Sequence, residues 1–213
     1  MNIKLTQVVV HLPPSHRFLF RLPQFDVPAG SKMLIQGASG KGKTTLLHLM
    51  AGLFSPTEGY VFFDDQNTKY LSDEALCQKR KDHFGIVFQK LNLLDHLTAL
   101  ENVLLTLPRQ TDSKRIALDA LNSLEVGDKE KERAGRLSLG EQQRVAVARV
   151  LAKKPEIVLA DEPTSSLDDR NATLVIESLL SGGENQTVVV VSHDGRIRDR
   201  FSQVFDFSDL VSL

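Results

Sequence analysis

Apolar positions along this chain change their period from one stretch to the next, and the changes mark out its elements. Ile3 to Val10 and Phe18 to Val27 read as strands separated by a turn at Pro13-Pro14, and Tyr60 to Phe63 adds another after Glu58-Gly59. Together these predict a small β layer. Met33, Leu34 and Ile35 read as a short buried strand, and Leu46, Leu47, Leu49 and Met50 begin a helix. A polar, helix-prone segment from Ser72 to Lys81 precedes a second core strand, Gly85 to Phe88, which ends at Gln89.

From Leu91 to about Ala152 the spacing turns helical. Leu97, Leu100, Val103 and Leu104 recur at helical spacing, as do Ile116, Leu118, Leu121 and Leu124. After Lys153-Lys154-Pro155 the continuous apolar runs return: Ile157 to Ala160, a helix carrying Leu174, Ile176 and Leu179, and Thr187 to Val191 ending at Ser192-His193. Strand, helix and strand with both faces apolar predict a parallel sheet covered by helices on each side. The expectation is one α/β domain, with a core of about residues 1–89 and 153–213 and a helical insertion of about 90–152.

Composition narrows the function. With 213 residues, 41% hydrophobic and 25% charged, the chain has ample material for a core. A net charge of −1 lacks the broad basic footprint of a nucleic-acid binder, and the cluster Gln78 to Lys81 reads as a solvated face. Cys77 is the one cysteine, which excludes an internal disulfide and a cysteine-based zinc cluster and fits a reducing compartment. The N-terminal stretch has no apolar core of signal-peptide length, and aliphatic runs such as Val188 to Val191 fall far short of the ~20 residues that span a bilayer.

The candidate chemistry sits between the Met33 strand and the Leu46 helix. Gly37-Ala38-Ser39-Gly40-Lys41-Gly42-Lys43-Thr44-Thr45 fits the G-x-x-x-x-G-K-[ST] phosphate-binding pattern. Glycines let the backbone curl, and the amides of Gly40, Gly42 and Lys43 with the positive end of the helix make a concave anion site. Lys43 would reach the outer phosphates of a nucleoside triphosphate, and the Thr44 hydroxyl would hold Mg²⁺. A second acidic element is needed at the end of a neighbouring strand, and Ile157-Val158-Leu159-Ala160-Asp161-Glu162 supplies it. Asp161 completes the metal shell, and Glu162, one residue on, is placed to polarise an attacking water.

Leu137-Ser138-Leu139-Gly140-Glu141-Gln142-Gln143-Arg144 resembles the signature motif of ATP-binding-cassette (ABC) ATPases. Other stations follow in the family's order: Gln89 after Val87-Phe88 resembles the Q-loop, Ser166-Leu167-Asp168 the D-loop, and His193 in Val191-Ser192-His193-Asp194 the switch histidine. The resemblance covers essentially the whole chain. It implies a P-loop NTPase fold, with a RecA-like parallel-sheet core, a small antiparallel β layer and a helical insertion. It further implies ATP and Mg²⁺ as ligands, Gln89 as a sensor of metal and water, and His193 as a γ-phosphate contact that orients water with Glu162. Ser138, Leu139, Gly140 and Glu141 would form a second anion site whose free amides and hydroxyl point outward from a helix N-terminus; Ser138 also suits a simple N-cap. In the family, two cassettes pair head to tail and each signature caps the other's ATP.

Some positions depart from the family's pattern. Leu139 stands where the first of two glycines is usual, adding bulk and restricting the backbone beside the phosphate cap. Lys41 replaces a small residue and adds a cation near the phosphates, and Ser166 replaces a common alanine. No aromatic residue stands out to stack on adenine; His11 is the first candidate and Phe18 the second. His16, His48, His83 and His96, like His11, show no metal-ligand spacing.

The stretch from Phe88 to Val103 and Leu159-Ala160-Asp161-Glu162-Pro163-Thr164 are similar to the exporter-type ATPases of lipoprotein release, macrolide efflux and cell division, whose permease is a separate polypeptide. The resemblance implies a homodimeric ATPase, peripheral on the cytoplasmic face of the inner membrane, that contacts a transmembrane permease through about Leu91 to Val103. A slow nucleotide-gated regulator, kept open by Leu139, and a soluble ABC ATPase of DNA repair or translation are the alternatives.

Overall fold

The computed structural model describes residues 1–12 and 17–212, with Leu12 described by its backbone alone. The Pro13-Pro14 turn and His16 lie outside the described residues. In chain order the elements are β1 (Ile3–Leu12), β2 (Arg17–Val27), β3 (Lys32–Gln36), α1 (Lys43–Met50), β4 (Glu58–Phe63), β5 (Gln66–Asn67), α2 (Asp73–His83) and β6 (Phe84–Val87). They continue with α3 (Ala99–Leu104), α4 (Ser113–Ser123), α5 (Leu139–Leu151), β7 (Ile157–Asp161), α6 (Asp169–Leu180), β8 (Thr187–Ser192), β9 (Gln203–Asp206) and α7 (Phe207–Leu210).

The alternating strands form an antiparallel sheet in the order β2-β1-β4-β5, and the continuous apolar runs form a parallel sheet in the order β6-β7-β8-β3-β9. The second sheet is buried on both faces, as its sequence requires. Val188 and Val190 of β8 join one core cluster together with Leu34, Val158 and Ala160, while Val189 and Val191 join the other with Met33, Ile35, Ile157 and Leu159. On the first face lie α5 and α6, with apolar residues of α3 and α4 in the same cluster. On the second lie α1 and the antiparallel sheet: Leu46, Leu47, Leu49 and Met50 are fully buried, each contributing about 1.5–3 kcal/mol of apolar transfer.

The helical block after Gln89 consists of three helices, α3, α4 and α5, with two short 3-10 turns, Gly127–Lys129 and Ala134–Arg136, between α4 and α5. Helix α5 packs against α3 and α4 and also against β6 and α6, so the insertion shares a continuous core with the sheet. The contact with β6 is close: a Cβ on Gly85 would lie 2.5 Å from Val150 Cγ1. The strand expected at Gly85 to Phe88 runs from Phe84 to Val87; Phe88 leaves it, its ring 6.0 Å from that of His48.

Register aligns the strand ends. Gln36 pairs with Ser192, and Asp161 with Val191, so the C-terminal ends of β3, β8 and β7 lie side by side. Ligands of open parallel sheets bind beyond these ends.

Candidate functional site

A cleft of about 210 Å³ opens at those strand ends, lined by Leu19, Ser39, Gly40, Gly42, Lys43, Thr44, Thr45, Gln89, Asp161 and Glu162. Its floor is the loop from Gly37 to Gly42 and the start of α1. Gly40 and Gly42 take left-handed backbone, φ 76° and 111°, and a Cβ on Gly42 would lie 2.9 Å from the ring of Phe20, so the loop is seated closely on β2. Ala38, Ser39, Gly40 and Lys41 are exposed along the loop, whereas Lys43 is 6% exposed. Its Nζ donates to the carbonyls of Gly37 at 2.6 Å and Ala38 at 3.0 Å. Those bonds hold the ammonium over the loop's opening, and phosphate oxygens offer the same kind of acceptor.

Across the cleft, the Thr44 hydroxyl donates to Asp161 Oδ2 at 2.7 Å. Burial pushes the Asp161 carboxyl above the usual carboxylate range; the Thr44 hydrogen bond pulls it partly back, and the neighbouring Glu162 adds to the rise. Hydroxyl, carboxylate and the exposed Gln89 amide are hard oxygen donors suited to Mg²⁺. Among the described residues no group of three or more His, Cys, Asp or Glu is placed to hold a metal ion.

Glu162 ends the strand abruptly. Its φ of 49° puts a non-glycine residue in the left-handed region, a strain of order 1–3 kcal/mol, and its amide is held by the Val191 carbonyl at 2.9 Å. The kink turns the carboxylate toward the end of β8. There Oε2 accepts the Ser192 hydroxyl at 2.7 Å, Oε1 lies 2.8 Å from His193 Nδ1, and the His193 amide approaches both oxygens at 3.2 and 3.3 Å. Lys43 Nζ stands 4.0 Å from Oε1. Gln143, buried on α5, donates to the Glu162 carbonyl at 3.1 Å. His193 itself is 57% exposed, so it touches Glu162 while facing solvent.

Cradle, hydroxyl–carboxylate pair and glutamate are gathered at one end of the parallel sheet. Residues 21–165 match the family described as ABC transporter. The chain belongs to the ABC transporter family. An uncharacterised ABC transporter ATP-binding protein of Mycobacterium tuberculosis, Rv2564, is 42% identical over 177 residues, and one of Mycobacterium bovis, Mb2593, matches equally. Each alignment takes in 81% of this chain and 54% of the relative, so the chain spans about half the length of those proteins. The solved dimeric structure of MJ0796, described as a bacterial ABC transporter cassette, superposes with a TM-score of 0.89 at 34% identity over 96% of this chain and 93% of that one. CbiO1 of Clostridium perfringens shares the fold, with a TM-score of 0.79 at 24% identity over 96% and 83% of the two chains. The fold is thus that of an ABC cassette.

Not every expected residue of this cassette reaches the cleft. Ser138, Leu139, Gly140 and Glu141 lie at the N-terminus of α5, outside its lining. The Ser138 amide and hydroxyl, expected to be free, are both engaged: they donate to Glu141 Oε2 at 2.8 and 2.7 Å, and the Ser138 hydroxyl accepts the Glu141 amide at 3.3 Å. This is a capping box, in which the acidic side chain one turn on reaches back over the helix end. Leu139 does not strain the backbone. It occupies the first position of α5 without left-handed φ, its side chain 58% exposed.

His11 and Phe18 also miss the cleft; their rings pack edge to face at 5.6 Å, and Leu19 forms the wall instead. Leu19, Ser192 and Gln143 were not singled out by sequence; Ser192 after the Thr187–Val191 run and Gln143 beside Gln142 are set apart by their burial, which the fold supplies.

Proposed function

We propose that this chain is the ATP-binding and ATP-hydrolysing subunit of an ABC transporter. The observation that carries the reading is the convergence of Lys43, Thr44, Gln89, Asp161 and Glu162 on one phosphate-sized cleft. Backbone amides of residues 40–43 and the Lys43 ammonium would bind the β- and γ-phosphates. Thr44, Asp161 and Gln89 would hold Mg²⁺, which when bound neutralises phosphate charge. Glu162 accepts a proton from the attacking water as its oxygen bonds to the γ-phosphorus and the bond to the bridging oxygen breaks, releasing ADP and phosphate. His193 and Ser192 hold that carboxylate in aim.

MJ0796 is dimeric, and a second structure of it is described as a post-hydrolysis state bound to ADP and Pi, with the same TM-score of 0.89. By that likeness two copies of this chain pair head to tail, and the α5 N-terminus of each, with Ser138, Leu139, Gly140 and Glu141, caps the nucleotide of the other. Binding there requires Glu141 to release Ser138. No helix among the described residues is long and apolar enough to cross a membrane. The family likeness is what supports a separate transmembrane permease and a peripheral place on the cytoplasmic face of the inner membrane.

The permease would dock on the insertion, residues 90–152, through about Leu91 to Val103. That segment is stiff. Arg149 of α5 donates to the carbonyls of Leu91 and Asn92 at 2.7 Å each, and the buried Asn102 amide bonds the main chain of Leu94, Leu97 and Thr98. A change at Gln89 is therefore passed on as movement of a body rather than absorbed by a loop.

Steady-state ATP turnover tests the reading, with Glu162→Gln as control. Mg²⁺-dependent hydrolysis that falls by about 100-fold or more in the variant is expected. Turnover indistinguishable between the two would favour the slow regulator. Leu139 leaves its backbone unstrained, while its exposed side chain stands at the cap that would meet the other copy's nucleotide, so turnover decides that alternative.

A further inference from the structure

A chain of contacts outside the cleft joins the start of α5 to the carboxylate of Glu162. Gly140 rests against the turn that follows β7: a Cβ there would lie 3.4 Å from both the Ser166 carbonyl oxygen and Leu167 Cδ2. Arg196, in the 3-10 turn after β8, reaches the same turn. Its Nη1 and Nη2 donate to the Leu167 carbonyl at 3.3 Å each, and Nη1 donates to Asp169 Oδ1 at 2.6 Å.

The other edge of this guanidinium grips Asp194 as a fork, Nε to Oδ1 at 2.9 Å and Nη2 to Oδ2 at 2.8 Å. A fork fixes orientation as well as distance. Asp194 is held from its far side too: Oδ2 accepts the buried Thr164 hydroxyl at 2.7 Å, and its amide donates to Ser192 Oγ at 3.1 Å. Ser192 Oγ in turn donates to Glu162 Oε2 at 2.7 Å.

We propose that Arg196 is a positioning residue for hydrolysis, one that ties the 164–169 turn beneath this chain's own signature to Ser192 and so to the aim of Glu162. The proposal rests on the ATPase reading above. In a two-chain sandwich the signature of one chain faces the nucleotide of its partner, so closure on that nucleotide reaches this chain's carboxylate through Arg196. Gln143 reaches only the Glu162 main chain, whereas the Arg196 route acts on the carboxylate itself. The Arg196 side chain is 41% exposed, and ion pairs so exposed add little to stability, which leaves alignment as its use.

The test is steady-state ATP hydrolysis and thermal unfolding of the purified chain, its Arg196→Ala, Arg196→Lys and Arg200→Ala variants, and Glu162→Gln. Arg200 sits on the same 3-10 turn and pairs with Glu177 at 2.6 Å, so Arg200→Ala removes a charge without touching the route. Arg196→Ala should lower kcat about tenfold with KM within about twofold and a melting temperature no more than about 4 °C below the parent's, too small a change to unfold the chain at assay temperature. Arg196→Lys, which keeps the charge but loses the fork, should recover part of the loss, and Arg200→Ala should match the parent. A parental kcat in Arg196→Ala, an equal fall in Arg200→Ala, or a fall that tracks lost folding overturns the proposal alone. A parent that turns over no faster than Glu162→Gln overturns the ATPase reading and the proposal with it.

Discussion

Lys43 Nζ stands 4.0 Å from Glu162 Oε1, both side chains more than nine-tenths buried, on elements separated by over half the chain. The distance is too long for a hydrogen bond, so the two groups flank a gap rather than fill it. In the proposed reaction one side of that gap would bind phosphate and the other would accept a proton.

Lys43→Ala removes the charge facing the phosphates and frees the Gly37 and Ala38 carbonyls. ATP affinity measured by titration calorimetry should fall by about 100-fold or more, the scale of losing charge-assisted hydrogen bonds in a buried site. Retained tight binding would remove Lys43 from the nucleotide site.

Asp194 supplies a pH dependence with a definite sign. Its carboxyl, held chiefly by the Arg196 fork with help from Thr164, falls from the ordinary 3.8 to about 2. Folded chain then binds fewer protons than unfolded chain between those values, so this contribution to stability is full above about pH 4 and is lost as pH falls through 2. Solvent around Arg196 limits it to on the order of 1 kcal/mol. In denaturant melts Asp194→Asn should be less stable than the parent at pH 6, and the gap should close near pH 2. A gap that does not change with pH would mean the charge plays no part.

Ser138 combines two roles that two substitutions separate. Ser138→Ala breaks the capping box and should cost about 1 kcal/mol, a drop of about 2–4 °C in Tm. Ser138→Asn restores a good cap without the hydroxyl and should melt near the parent, yet lower ATP turnover as Ser138→Ala does. Parental turnover in Ser138→Asn would make Ser138 a cap and nothing more.

What could be read from sequence follows from how local each signal is. The parallel strands announced themselves as valine and isoleucine runs because both faces are buried, and the phosphate loop because its glycines need fixed spacing. β9 and α7 gave no such signal: Gln203–Asp206 is a half-exposed edge strand beside β3, and Phe207–Leu210 is a single turn. The Ser138 and Glu141 spacing fits a capping box, and the N-cap expected at Ser138 forms, with the Glu141 side chain as its second half. Leu19, Ser192 and Arg196 act through neighbours brought together by strand order, so no window of sequence contains their meaning.

The central claim is that two copies of this chain clamp ATP between the lysine cradle of one and the serine-capped helix of the other. Light scattering on Glu162→Gln with Mg²⁺ and ATP measures it directly. The account predicts a mass twice the 23.7 kDa of one chain with ATP, and one chain's mass without it. A 23.7 kDa species that holds ATP at saturation yet never pairs would contradict it.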